Sequence, residues 1–176
     1  MAHALIDTVA AFIERHALLE DDGPVLGAVS GGVDSMTCLS ILHQLGVDVH
    51  ALHVNYGLRD GADADAALVE RWCREQQPSI PCTTVALDAE ARADAENESL
   101  QEAARRLRYD ALTERAQEIG ASAVATGHHR DDQAETLLLN LVRGCGPEGL
   151  AGMRPARPLA ADGSVTLIPP LLGGRR

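Results

Sequence analysis

No lysine occurs anywhere in the 176 residues; all 15 basic residues are arginines. A chain without an ammonium side chain cannot form the G-x-x-x-x-G-K-S/T loop of P-loop kinases and GTPases. Nor can it offer a Schiff-base or adenylated lysine nucleophile. Aromatics are nearly as scarce: Phe12, Tyr56, Trp72 and Tyr109 are the full set, so a core must pack through alanine and small branched side chains. The cysteines Cys38, Cys73, Cys82 and Cys145 include no C-x-x-C pair, which favours reduced, packed thiols over a metal knuckle or disulfide frame. No run approaches the roughly 20 apolar residues of a membrane span. The N-terminus is acidic and amphipathic, without a basic end and signal core, so a cytoplasmic protein with no membrane partner is expected. A net charge of −11 argues against a bare nucleic-acid-binding surface. Any RNA contact must come from a local arginine patch or from outside this chain.

What is present is a nucleotide-binding pattern. Residues 25–42 read VLGAVSGGVDSMTCLSIL: an apolar strand, a turn with two glycines, then a helical run. Such a junction aims backbone N–H groups and the positive end of the helix dipole at one point, where a phosphate can sit. Ser30, Gly31, Gly32, Val33 and Ser35 make the cradle. Asp34 is a carboxylate in a phosphate nest, which is repulsive unless a cation intervenes, so it is read as a magnesium holder. G-x-G-x-x-G is absent, so the dinucleotide fingerprint is not met.

Helix and strand signals alternate along the chain. Helices are expected over 3–19, from the loop to Leu45, over 62–76, from Leu100 with Ser99 as its cap, and over 132–143. Strands are expected over 25–29, 47–54, 82–87 and 122–126, with one more at 165–168. Leu100, Ala104, Leu107 and Ala111 share one face of their helix by the 3.6-residue period, and the last helix carries Leu137, Leu138 and Leu141. Residues 88–98, acidic and alanine-rich with little apolar anchoring, read as a mobile loop. This alternation predicts an α/β fold, a Rossmann-like three-layer αβα domain with a mainly parallel sheet of about five strands. Ligands in such sheets gather at the carboxyl ends of the strands. The polar clusters fall there, at residues 30–35, 55–59 and 127–132.

Two further clusters carry chemistry. Gly127-His128-His129-Arg130-Asp131-Asp132-Gln133-Ala134-Glu135 runs from a strand end into a helix. Paired histidines suggest zinc, but a hard cation shared by Asp34 and Asp132 and completed by ATP oxygens suits carboxylates better. Asp131 and Glu135 can also simply balance the helix dipole. In the segment 101–109, Arg105 and Arg108 fall on one helical side and can grip phosphate oxygens bidentately. Arg106 is equally well read as part of a solvated stripe paired with Glu102 and Asp110.

The string S-G-G-x-D-S resembles the pyrophosphate loop of the N-type ATP pyrophosphatases. With HVNYGLR, SLQEAARRLRY and ATGHHRDDQAETLLLNLVRGCGPEGLAGM, residues 24–153 resemble, in order, the N-terminal catalytic domain of the tRNA(Ile)-lysidine synthetase family. The resemblance implies an adenine nucleotide alpha hydrolase-like fold. It also implies ATP-dependent ligation of free L-lysine to C2 of the wobble cytidine of an isoleucine tRNA with a CAU anticodon. An adenylated tRNA is the intermediate, and AMP and pyrophosphate are released. Ser30–Ser35 and Gly127 would hold ATP, Asp34 and Asp132 would hold Mg2+, and Ala28 and His53 would border the adenosine. Arg105 or Arg108 would steady the tRNA or the transition state, while His128, His129 and Glu135 would orient substrate.

Tyr56 stands where the family often has histidine, and Cys145 where serine or threonine is usual. The resemblance leaves room for a homodimer. It also leads one to expect a PP-loop domain over 1–153, with 154–176 as an incomplete tail of the same domain and the family's C-terminal tRNA-binding domains absent. Two other readings stay open: a PP-loop pyrophosphatase of tRNA thiolation, and an ATP-binding module without catalysis.

Overall fold

The computed structural model describes residues 2–19, 23–57, 61–144, 146 and 152–174. Leu58, Arg59 and Cys145, named above, lie outside the described residues.

Six strands form one sheet in the order β3-β2-β1-β4-β6-β5. These are β1 (Val25–Val29), β2 (Val49–Asn55), β3 (Cys82–Ala86), β4 (Ala123–Ala125), β5 (Arg157–Pro158) and β6 (Thr166–Ile168). All neighbours are parallel except β5, which runs antiparallel to β6 at the edge. Five strands were expected. The sixth is a two-residue pair that no periodicity can announce.

Alternation along the strands divides the core. Val25, Val29, Ala51, Ala123, Ala125 and Ile168 point to one face, with Val9 of α1 (Ala2–Arg15), Leu39 and Leu42 of α2 (Val33–Gln44) and Val69 of α3 (Ala62–Glu75). Leu26, Leu52, Val124 and Leu167 point to the other, under Leu112 and Ala116 of α5 (Leu100–Ile119). That is the three-layer arrangement the alternation predicts. Gly27 lets α2 settle on β1, since a Cβ there would lie 2.8 Å from Leu39 Cδ1.

Residues 88–98 are not a loop. They contain α4 (Ala89–Glu96), whose N-terminus is capped by Asp88 accepting from the Ala91 N–H at 2.8 Å, and which stops at left-handed Asn97. Alanine and glutamate are strong helix formers, and fully buried Ala89 supplies the anchor that a search for larger apolar residues overlooks. On α5 the Ser99–Glu102 capping box forms as expected, but the buried positions are Ala103, Leu112 and Ala116, while Leu100 is exposed. Small alanines bring the helix close to its neighbours, and the stripe rotates toward them. The last helix, α6 (Arg130–Val142), buries none of its residues, and Leu138 and Leu141 stand in solvent. Among the described residues no helix is long and apolar enough to cross a membrane.

Candidate nucleotide site

After β2 and β3 are laid down on one side of β1, the chain crosses to β4 on its other side. Strand order thus diverges at β1 and β4, and the crevice at the carboxyl ends of such a pair is the usual ligand position in these sheets.

The loop after β1 is a turn braced by its own hydroxyls. Gly31 adopts φ +83°, and Gly32 leads in extended conformation to α2. Ser35 Oγ donates to the Gly32 carbonyl at 2.9 Å and accepts the Ser30 N–H at 3.1 Å, while Ser30 Oγ lies 3.1 Å from Ser35 Oγ. Helical hydrogen bonding begins only with Met36 N–H to Gly32 O. The first-turn amides are thus left for an external acceptor, with the dipole behind them.

The loop after β4 presses against this one. A Cβ on Gly127 would lie 2.6 Å from Ser35 N and 2.7 Å from Asp34 C, so only glycine allows the two backbones to touch. His128 Nδ1 pairs with Thr126 Oγ1 at 2.9 Å. His129, not a residue at 131 or 132, caps α6: its Nδ1 accepts the Asp131 N–H at 3.2 Å, and its own N–H donates to Asp132 Oδ2 at 2.8 Å. The buried His129 ring stands between the two acids, with Nε2 3.7 Å from Asp34 Oδ2 and Nδ1 3.4 Å from Asp132 Oδ2.

Ala28, Ser30, Asp34, Ser35, Arg108, Gly127, His128 and Asp132 all line one cavity of about 300 Å³. His53 lies in an adjoining cavity of about 310 Å³ that shares Ser30, Val54 and Tyr56 with the first. Buried His53 holds the end of β1 through Nδ1 and the Val29 carbonyl at 2.9 Å. Gly31 and Gly32 shape the turn without lining either cavity, and Val33 is 59% exposed and faces a groove beside α1. His129 sits behind the acids, Arg105 lies over the Tyr109 ring at 5.3 Å, and Glu135 is exposed on α6. Arg106 is paired with Glu98 at 3.1 Å rather than with Glu102 or Asp110.

Sequence reasoning assigned no role to Tyr109 and Arg157, and left Tyr56 undecided. Both tyrosines line the cavity, and Tyr56 donates from its hydroxyl to the Ala104 carbonyl at 3.0 Å. In a chain with so few aromatics, a tyrosine just after β2 and another beside the arginines of α5 were a usable signal. Arg157 reaches Tyr109 from 48 positions away, at 2.8 Å, and nothing local marks it.

Burial, aided by Arg108, Arg157 and His129 and opposed by Asp132, holds the His128 imidazole below its ordinary range, so it is neutral at neutral pH. Among the described residues no group of three metal-ligating side chains is gathered, so a protein-only zinc cage has no basis here. Two carboxylates facing one cavity fit a hard divalent ion whose remaining positions go to phosphate oxygens and water.

The family model described as a PP-loop domain matches residues 2–176. The tRNA(Ile)-lysidine synthase of Symbiobacterium thermophilum is 44% identical over 177 residues, covering 98% of this chain and 36% of that protein. The synthase of Salinispora tropica is also 44% identical, covering 96% of this chain and 51% of that protein. The chain thus spans between a third and a half of the length of these curated relatives. A structure of the U34-tRNA thiolase NcsA from Methanococcus maripaludis, with its 4Fe–4S cluster, superposes with a TM-score of 0.75 at 20% identity over 96% of this chain and 58% of that one. The NH3-dependent NAD synthetase of Campylobacter jejuni follows at 0.54 and 18%, over 82% and 62%. These two likenesses show the fold alone.

Proposed function

Because this chain belongs to the PP-loop domain family, we propose that it uses ATP to activate the wobble cytidine of an isoleucine tRNA with a CAU anticodon and then joins free L-lysine to that base. The observation that carries this is the convergence of Asp34, Asp132, Arg108 and the α2 N-terminus on one cavity at the β1/β4 divergence. Its relatives' names supply the substrate. The loop amides of residues 31–35 take the phosphates, and the adenosine extends past Ala28 toward the His53 cavity. Asp34 and Asp132 hold magnesium, which when bound offsets the charge of the phosphates that these acids would otherwise repel. His129 keeps the two carboxylates facing each other and acts as a positioning residue.

The cytidine O2 attacks the α phosphorus, the bond to the bridging oxygen breaks, and pyrophosphate leaves. A lysine amine then attacks C2, and AMP departs with the former O2. The amine must lose a proton, and His128, neutral and open to the cavity, can take it. Arg105 or Arg108 steadies the tRNA beside the reacting base. Glu135, three residues beyond Asp132 on the same helix side, is placed to meet the substrate's ammonium. This reaction belongs in the cytoplasm.

Pyrophosphate release measured with ATP, lysine and this tRNA, each omitted in turn, tests the reading. Release requires ATP and tRNA, and AMP release further requires lysine. ATP binding with no pyrophosphate in the complete mixture rejects catalysis in favour of a binding module. The thiolation reading has less support, because none of the described cysteines lines the cavity. Cys73 and Cys82 meet where α3 ends and β3 begins, and Cys38 is buried within α2, its thiol pushed up to about 12 by burial.

A further inference from the structure

Three guanidinium groups converge on one ring beside the cavity. Arg105 and Arg108 of α5 lie 5.3 and 5.5 Å from the centroid of Tyr109, and Arg157 of β5 lies at 5.2 Å. Arg157 also donates from Nη2 to the Tyr109 phenol oxygen at 2.8 Å. Neighbouring arginines are neutralised: Arg106 by Glu98 at 3.1 Å, Arg92 between Glu96 and Glu98 at 3.9 and 3.8 Å, Arg115 by Glu118 at 2.9 Å. Among the described residues no carboxylate lies within salt-bridge distance of Arg105, Arg108 or Arg157. A chain with net charge −11 has acids to spare, yet it leaves three cations together. The ring offsets part of their repulsion through cation–π attraction, and an anion would offset the rest.

Position favours a second anion over the triphosphate. The phosphate loop leads into α2 and Arg105 and Arg108 belong to α5, on opposite faces of the sheet, with Arg157 reaching Tyr109 from the edge strand β5. The cavity lies between them, with Arg108 and Tyr109 in its wall. Guanidinium forks suit phosphate oxygens, and a phenol ring offers a stacking face to a base. We propose that Arg105, Arg108 and Arg157, gathered on Tyr109, form a clamp for the phosphodiester backbone next to the reacting base, with Arg157 as the residue that completes it. The clamp rests on the RNA-modifying reading above and adds to it a site drawn from β5.

The test measures anisotropy of a labelled anticodon stem-loop RNA over a range of salt, and MgATP affinity separately. Arg157→Ala is expected to weaken RNA binding about tenfold and to reduce the slope of log K against log salt by about 0.7 to 0.9, with MgATP affinity within about twofold of wild type. Arg157→Lys restores the slope but only part of the affinity, since a point charge replaces a planar fork. Tyr109→Phe keeps the ring and loses the phenol acceptor, so RNA binding falls about two- to threefold. These two milder variants carry the test if Arg157→Ala melts early. RNA affinity and slope unmoved in a stably folded Arg157 variant overturn the clamp. Weakened MgATP binding with RNA binding intact overturns it in favour of a triphosphate site. Failure of the RNA-modifying reading shows separately, as absence of RNA-dependent pyrophosphate release by the wild-type chain.

Discussion

The two walls of the cavity are made of different material. The wall from β1 and β4 has its shape fixed by main chain: the turn that left-handed Gly31 makes behind it, Gly127 in contact with backbone, and the first turn of α2. The wall from α5 and β5 is side chain: Arg108 and Tyr109 in front, with Arg105 and Arg157 around the ring. Main-chain donors cannot be moved without deforming the loop, so that wall arrives preorganised for one shape of anion. Long guanidinium arms adjust to a strand that differs from site to site. The comparison predicts that the first wall tolerates no substitution in its backbone and that the second loses function in graded steps.

The largest expected effect is on chemistry at the first wall. Asp34→Asn should lower pyrophosphate release by about a hundredfold or more while changing stability by less than about 1 kcal/mol, because one partly exposed charge is lost where an ion is needed. Denaturant unfolding beside a turnover assay checks this. An equal fall in both would make Asp34 a structural residue. Next comes Gly127→Ala, which forces a methyl against Ser35 N and Asp34 C. Overpacking of this kind costs about 1–3 kcal/mol. Because the two loops must part, MgATP affinity should drop along with the melting temperature. A variant that binds MgATP as wild type would break the contrast between the walls.

The main-chain wall was legible in the sequence because it is local. A strand, two glycines and a helix start lie within 11 residues, and the histidine–aspartate cluster sits at one strand end, so spacing alone assigned them. The parallel sheet followed from alternation for the same reason. The side-chain wall was half legible. Arg105 and Arg108 stood out by helical spacing, whereas Arg157 reaches Tyr109 only through the pairing of β5 with β6, a contact that no local pattern encodes. Residues 88–98 failed differently: alanine carries little hydropathy, yet it packs a helix closely. The resemblance gives His129 a substrate role; its capping of α6 is not legible in the sequence, because it depends on where that helix begins and boundaries are the least certain part of a sequence reading.

A smaller effect probes the seam where the walls meet. Burial holds His128 below the ordinary histidine range, so the folded state prefers its neutral form. Folding then gains stability from His128 that is present above about pH 6.5, its unfolded value. As pH falls through the lower folded value, the ring must take a proton inside the cavity and that stability is lost. Thermal melts should therefore decline from pH 7.5 toward 5, and His128→Asn should flatten the decline; an unchanged profile would show that other groups set it.

The smallest effect lies furthest from the cavity and asks whether the second wall needs its helix held from one end. Ser99 caps α5 by accepting the Glu102 N–H at 3.3 Å, and Glu102 returns the contact to the Ser99 N–H. Ser99→Ala leaves the Glu102 N–H to water and should cost about 1 kcal/mol. The arginines begin two turns further on, at Arg105, and α5 is clamped to the sheet by Leu112 and Ala116. Loss of the cap should therefore fray the first turn without moving the guanidinium groups. Stability falls slightly in denaturant titrations, while RNA affinity and its salt dependence stay at the wild-type values. If they fall with stability, the side-chain wall is as dependent on its backbone as the main-chain wall, and the distinction between the two has to be abandoned.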